Sequence, residues 1–109
     1  MERRRSKRLT YNLNAKVRSG GFTYDGSIEN VSEGGVEYLL TSIDHITDDF
    51  TPDKVIELNF ETPSGKIIEL TCEVKWFHKS KRGNKRLTLG MKITNPPIAY
   101  KELIASLAD

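Results

Sequence analysis

The sequence predicts an all-β fold with one helix, a six-stranded antiparallel barrel with a short C-terminal helix over one open end. Three observations predict it. Apolar and polar residues alternate with period two along most of the 109 residues. Clusters of Gly, Ser, Pro and Asn punctuate the alternating stretches at hairpin spacing. Near the C-terminus, beyond Asn95-Pro96-Pro97, the period changes to that of a helix.

In the first stretch Leu9, Tyr11, Leu13, Ala15 and Val17 alternate with Thr10, Asn12, Asn14, Lys16 and Arg18, a strand with one face on a core and one in water. Ser19-Gly20-Gly21 follows as a hairpin turn, and Phe22, Tyr24, Gly26 and Ile28 continue the alternation in a second strand. Val36, Tyr38 and Leu40 mark a short third strand, and Ile56, Leu58 and Phe60 a fourth. The fifth is long, with Ile68, Leu70, Cys72, Val74 and Trp76 on one face; the sixth carries Leu87, Leu89, Met91 and Ile93. Pro63-Ser64-Gly65 and Arg82-Gly83-Asn84 are the turns between the last pairs. Closing such a sheet on itself removes the unpaired edges that invite aggregation, which favours a barrel over an open sheet. Leu103, Ile104 and Leu107, within Tyr100 to Leu107, have the spacing of a helix face. The segment Thr41 to Asp53 carries Asp44, Asp48, Asp49 and Asp53 with few apolar residues, and reads as a loop or a single helical turn.

A chain of this length fits one domain and buries roughly two thirds of its unfolded surface, enough for a core without disulfides or metal. The single cysteine, Cys72, has no intramolecular partner. The absence of a signal-like apolar segment predicts a cytoplasmic location, and no apolar run approaches the roughly 20 residues that cross a bilayer. The net charge of +2 conceals a division: Arg3, Arg4, Arg5, Lys7 and Arg8 form one basic cluster, and Lys79, Lys81, Arg82, Lys85 and Arg86 another. The remaining seven Lys/Arg face fifteen Asp/Glu, a net of −8. Such a distribution favours a local anion site over a uniformly basic surface for duplex DNA.

No catalytic or metal-binding constellation is present, so the chain is expected not to be an enzyme and to need no cofactor. His45 and His78 lie in no ligand or triad spacing and read as isolated surface histidines. Cys72 shares the apolar face of Leu70 and Val74, the position of a buried, inert thiol. The Asp-rich segment lacks the Gly and terminal Glu of a calcium loop.

Two polar features remain: the basic run within residues 1–8, read as a flexible arm preceding a barrel of residues 9–109, and the turn Asn30-Val31-Ser32-Glu33-Gly34-Gly35. Guanidinium groups bind phosphate through paired charge-assisted hydrogen bonds and stack on bases, while a polar turn offers fixed donors and acceptors to a base edge. Taken singly, the arm is equally a solubilising tail or a non-specific nucleic-acid contact, and the turn an ordinary strand connection. Together they suit a nucleotide-phosphate ligand.

Arg4-x-x-x-Arg8, preceded by Arg3 and followed after the first strand by Asn30-x-Ser32-x-x-Gly35, resembles the paired signature of PilZ domains, bacterial receptors for the second messenger cyclic di-GMP. The resemblance spans nearly the whole chain, including Val74-x-Trp76, Leu89-Gly90-Met91 and the terminal helix. It implies that Arg4 and Arg8 contact phosphates and guanines from the arm, that Asn30 and Ser32 contact the ligand from the barrel, and that Gly35 permits a tight turn. An arginine at position 3 accompanies, in the family, a ligand bound as two intercalated molecules. Trp76 lies near the ligand in some relatives, whereas its alternation with Val74 and Cys72 places it on the core face. Position 30 is Asn where the family more commonly has Asp, which removes one ionic acceptor, and the connection Thr41 to Asp53 is long and acidic.

These readings predict a PilZ-type cyclic di-GMP receptor whose arm orders over the barrel and signals to a partner protein in motility, adhesion or exopolysaccharide control. Two other readings stay open: a barrel binding single-stranded nucleic acid through the arm and the Lys79 to Arg86 hairpin, and a ligand-independent interaction module. Scarce surface aromatics count against the first, and the retained motif arginines against the second.

Overall fold

Each of the six alternating stretches forms a strand in the computed structural model, which describes residues 9–40, 50–79 and 86–108, with side chains for 11–40, 50–79 and 86–107. The elements are β1 (Leu9–Ser19), β2 (Phe22–Val31), β3 (Gly35–Leu40), β4 (Val55–Glu61), β5 (Ile67–Lys79), β6 (Leu87–Thr94) and α1 (Ile98–Ala108). All strand pairs are antiparallel, and the order β1-β2-β3-β6-β5-β4 closes because β4 pairs back onto β1, Ala15 opposite Phe60 and Val17 opposite Leu58. The expected barrel is therefore present and has no free edge.

The β1–β2 hairpin pairs Ser19 with Phe22, leaving Gly20 and Gly21 as a two-residue loop with φ of 59° and 85°. Two successive positive φ values are what the tightest right-twisted hairpin requires, and glycine adopts them without steric cost. Alternation then fills the interior: Val36, Tyr38 and Leu40 of β3, Ile56, Leu58 and Phe60 of β4, Ile68, Leu70, Cys72 and Val74 of β5, and Leu87, Leu89, Met91 and Ile93 of β6 are all buried. Complete burial of one such aliphatic side chain contributes about 1.5–3 kcal/mol, so the lining is the main source of stability. The Tyr38 hydroxyl donates to the Ala15 carbonyl at 2.9 Å, passing over β2 at Gly26, where a Cβ would sit 2.6 Å from that hydroxyl.

Helix α1 lies at the barrel end that carries the β2–β3 and β4–β5 turns. Tyr100 and Ile104 are buried, with Leu103 and Leu107 packed partly against the core, and Lys66 in the β4–β5 turn pairs loosely with Glu102 of α1 at 3.9 Å. At the other end Phe50 is 1% exposed and meets Tyr24 edge-on, ring centroids 5.1 Å apart. The segment Thr41 to Asp53, read as an acidic loop or a single helical turn, thus contributes a core residue; its residues 41–49 lie outside the described residues, as do 1–8 and the turn Arg82-Gly83-Asn84. Phe22, placed on the apolar face by alternation, is 64% exposed because it stands at the hairpin turn beyond the rim of the core.

Two irregularities in the ladder matter more than the regular pairing. Ile28 opposes Tyr38 and Asn30 opposes Glu37, so Glu29 is an extra residue of β2. Val74 opposes Met91 and Trp76 opposes Gly90, so Lys75 is an extra residue of β5. An inserted residue reverses which face later side chains occupy. Counting inward from Ile28, strict alternation puts Asn30 inside; counting from Val74, it puts Trp76 inside. The bulges turn both outward.

Candidate functional site

Through those bulges, one row of outward positions crosses four neighbouring strands: Asn30 on β2 opposite Glu37 on β3, Glu37 opposite Gly90 on β6, and Gly90 opposite Trp76 on β5. The row runs through a surface pocket of about 370 Å³ whose lining includes Asn30, Ser32, Gly35, Glu37, Trp76 and Lys92. Four of the seven residues singled out in the sequence, Asn30, Ser32, Gly35 and Trp76, therefore lie together. Arg3, Arg4 and Arg8 fall outside the described residues, but the chain following Arg8 enters the barrel here, since Leu9 pairs with Val31 and Thr10 with Asn30.

The turn is held from three sides. Within it the Ser32 amide donates to the Gly35 carbonyl at 2.9 Å, and from β6 the Ile93 amide donates to the Gly34 carbonyl at 2.9 Å. From α1 the buried Tyr100 hydroxyl donates to the Ser32 carbonyl at 2.6 Å. Burial pushes the Tyr100 phenol well above its ordinary range, with the nearby Cys72 adding to the effect, so the hydroxyl stays a donor at neutral pH. Gly35 permits close approach: a Cβ there would lie 3.0 Å from the Met91 carbonyl oxygen of β6.

Trp76 corrects its assignment to the core face. The side chain is 43% exposed and its ring lies over Gly90, where a Cβ would fall 2.1 Å from Cε2 and 2.2 Å from Nε1. A bare glycine backbone thus forms the floor on which the indole rests. With Phe22 and Phe77 also exposed, surface aromatics are not scarce, contrary to expectation, and their number does not disfavour nucleic acid.

The polar chemistry is mixed. The Asn30 Nδ2 donates to Glu37 Oε1. Lys75 also lines the pocket and bonds Glu73 at 2.9 Å, which raises its pKa and keeps it cationic. Lys92 has no ion-pair partner among the described residues and is exposed. Glu37, Lys75, Lys92 and Tyr100 escaped the sequence reading, because a charged residue on a strand and a tyrosine on a helix face look ordinary until the register is known. Among the described residues, no group of three or more His, Cys, Asp or Glu could hold a metal ion, and no helix is long and apolar enough to cross a membrane. Cys72 is buried, its thiol pushed up to about 12 by desolvation.

A six-stranded closed barrel with a terminal helix and an Asn-x-Ser-x-x-Gly turn at a pocket defines a class of small barrel domain, and comparison with known proteins identifies it. The PilZ domain model matches residues 2–109, and the chain belongs to the PilZ family. Among solved structures it is similar to the Bacillus subtilis inhibitor of motility MotI/DgrA, with a TM-score of 0.77 and 16% identity over 99% of this chain and 50% of that one. It is also similar to the PilZ domain of YcgR from Escherichia coli, solved with c-di-GMP, with a TM-score of 0.76 and 14% identity over 98% of this chain and 92% of that one. The chain thus spans half the length of MotI/DgrA. No curated protein matches its sequence.

Proposed function

We propose that this chain is a cytoplasmic, non-catalytic receptor for cyclic di-GMP, in which the N-terminal arginines close over a ligand seated on the outer row of the barrel. The observation that carries the reading is the convergence of arm and pocket: the pairing of Leu9 with Val31 delivers the chain directly beside Asn30 and Ser32. Arg8 is the residue before Leu9, and Arg4 lies five residues before Leu9, a reach of at most about 18 Å when extended. Both guanidinium groups can therefore reach a ligand in the pocket.

In this reading Arg4 and Arg8 grip phosphates and guanines, Asn30 and Ser32 contact the ligand from the barrel, and Trp76 offers an exposed ring to a base. Gly35 keeps the turn close to β6. Arg3 favours two intercalated ligand molecules. A charge-assisted hydrogen bond contributes about 1.5–3 kcal/mol and a stacked base about 1–3 kcal/mol. Two or three such contacts suffice for micromolar affinity after the arm is ordered. The ordered arm changes the surface that a partner protein reads, with outputs in motility, adhesion or exopolysaccharide control. The PilZ domain of YcgR, solved with c-di-GMP, supports the choice of ligand.

Calorimetric titration of cyclic di-GMP at about physiological salt tests the proposal, with GTP as control. Saturable binding to the wild type, lost in Arg8→Ala and reduced at least about 10-fold in Asn30→Ala, is the expected result. Binding insensitive to Asn30→Ala and falling steeply with salt indicates a nucleic-acid-type electrostatic surface instead.

A further inference from the structure

The geometry points to Glu37 as a specificity-determining residue of this site, an inference that rests on the receptor reading above. Asn30 presents a flat amide whose two ends differ, one donating and one accepting. Its terminal torsion is broad and roughly two-fold, so the amide has no intrinsic preferred orientation. The carboxylate of Glu37 only accepts. Because Asn30 Nδ2 donates one of its two N–H groups to Glu37 Oε1 across the β2–β3 ladder, the nitrogen end of the amide is turned to β3 and Oδ1 is left as the acceptor for a ligand.

Glu37 does more than orient its neighbour. It lines the same pocket, it is half-buried, and no Lys or Arg among the described residues pairs with it. Its second oxygen, Oε2, has no hydrogen-bond partner among the described residues. Asn30 Oδ1 and Glu37 Oε2 thus form a pair of acceptors on adjacent strands, beside an exposed indole. A guanine base presents two neighbouring donors on one edge, the ring N1–H, which Asn30 Oδ1 accepts in this arrangement, and the exocyclic 2-amino group, which Glu37 Oε2 accepts. Adenine presents an acceptor at its N1, which two acceptors reject. The carboxylate that position 30 lacks is supplied from position 37.

The test compares cyclic di-GMP with cyclic di-IMP, which lacks the 2-amino groups, on wild type, Glu37→Ala, Glu37→Gln and the swap Asn30→Asp with Glu37→Gln. Glu37→Ala is expected to weaken cyclic di-GMP about 10- to 100-fold while changing cyclic di-IMP by no more than about 3-fold. The swap, which moves the carboxylate to position 30 and gives it an amide donor at 37, recovers most of the lost affinity, whereas Glu37→Gln alone does not. Unchanged circular dichroism establishes that the variants fold, and the side-chain amide signals of Asn30 in the free protein lose their dispersion in Glu37→Ala. Wild-type binding that Glu37→Ala leaves unchanged, or that weakens equally for both ligands, overturns the role of Glu37 alone. A wild type that binds neither ligand overturns the receptor reading itself.

Discussion

Replacing Gly90 by Ala probes the platform under Trp76. The added Cβ would lie 2.1, 2.2 and 2.5 Å from Cε2, Nε1 and Cζ2 of the indole, well inside contact distance for all three atoms. Gly90 is paired in the ladder with both Glu37 and Trp76, so the backbone cannot give way without disturbing that pairing. The ring can, because it is already 43% exposed, and it must move by more than about 1 Å to restore van der Waals contact. The fold loses the ring's contact with β6, about 1 kcal/mol, and regains about 0.5–1 kcal/mol from replacing glycine in a strand, so global stability changes little. Ligand binding changes more: losing one stacked base removes about 1–3 kcal/mol, a drop in affinity of about 5- to 150-fold. Trp76 is the chain's one tryptophan, so fluorescence excited selectively at tryptophan, beyond the absorption of the four tyrosines, reports on this ring. The expected result is an altered emission spectrum, a denaturation midpoint near that of the wild type, and weakened cyclic di-GMP binding. Altered emission with unchanged affinity would refute the stacking role; unchanged emission would refute the platform geometry.

Two further perturbations address the support of the site. Tyr100→Phe removes the donor to Ser32 O and should cost about 1–3 kcal/mol of stability; hydrogen exchange at the Ser32 and Ile93 amides should accelerate more than exchange in β4, and uniform acceleration would indicate a general packing defect. Cys72, with its thiol pushed up to about 12, should resist thiol reagents at pH 8 until urea unfolds the chain. The same shift has a sign for stability. The native state holds the Cys72 proton above pH 9, where the unfolded chain releases it, so stability is full below pH 9 and declines from there toward pH 12. Tyr38 and Tyr100, both raised by burial, add a loss of the same sign above pH 10. Chemical denaturation at pH 7, 9 and 10.5 checks this, and a flat profile would contradict the burial of these groups.

Strand positions and the terminal helix were legible because the alternation Val36-Tyr38-Leu40 or Ile68-Leu70-Cys72-Val74 is the direct imprint of a half-buried strand. Burial at Tyr100 and Ile104 likewise follows from helical spacing. The outward turn of Asn30 and Trp76 was not legible from alternation, since nothing in the composition of Glu29 or Lys75 marks either as an extra residue; a bulge is a property of the pair of strands, visible only in register. For the same reason Glu37 and Lys92 joined the pocket lining only when β3 and β6 were set beside β2 and β5. Phe50 was missed because a lone aromatic at the end of an acidic stretch carries no periodic signal.

The most direct test of the central claim is backbone amide chemical-shift mapping during titration with cyclic di-GMP. Saturable changes are expected, concentrated at Asn30 to Glu37, Lys75, Trp76, Gly90 and Lys92, with Arg8 and its neighbours changing in step. Changes centred on the opposite outer surface, around Lys16, Asp25 and Asn59, would contradict it.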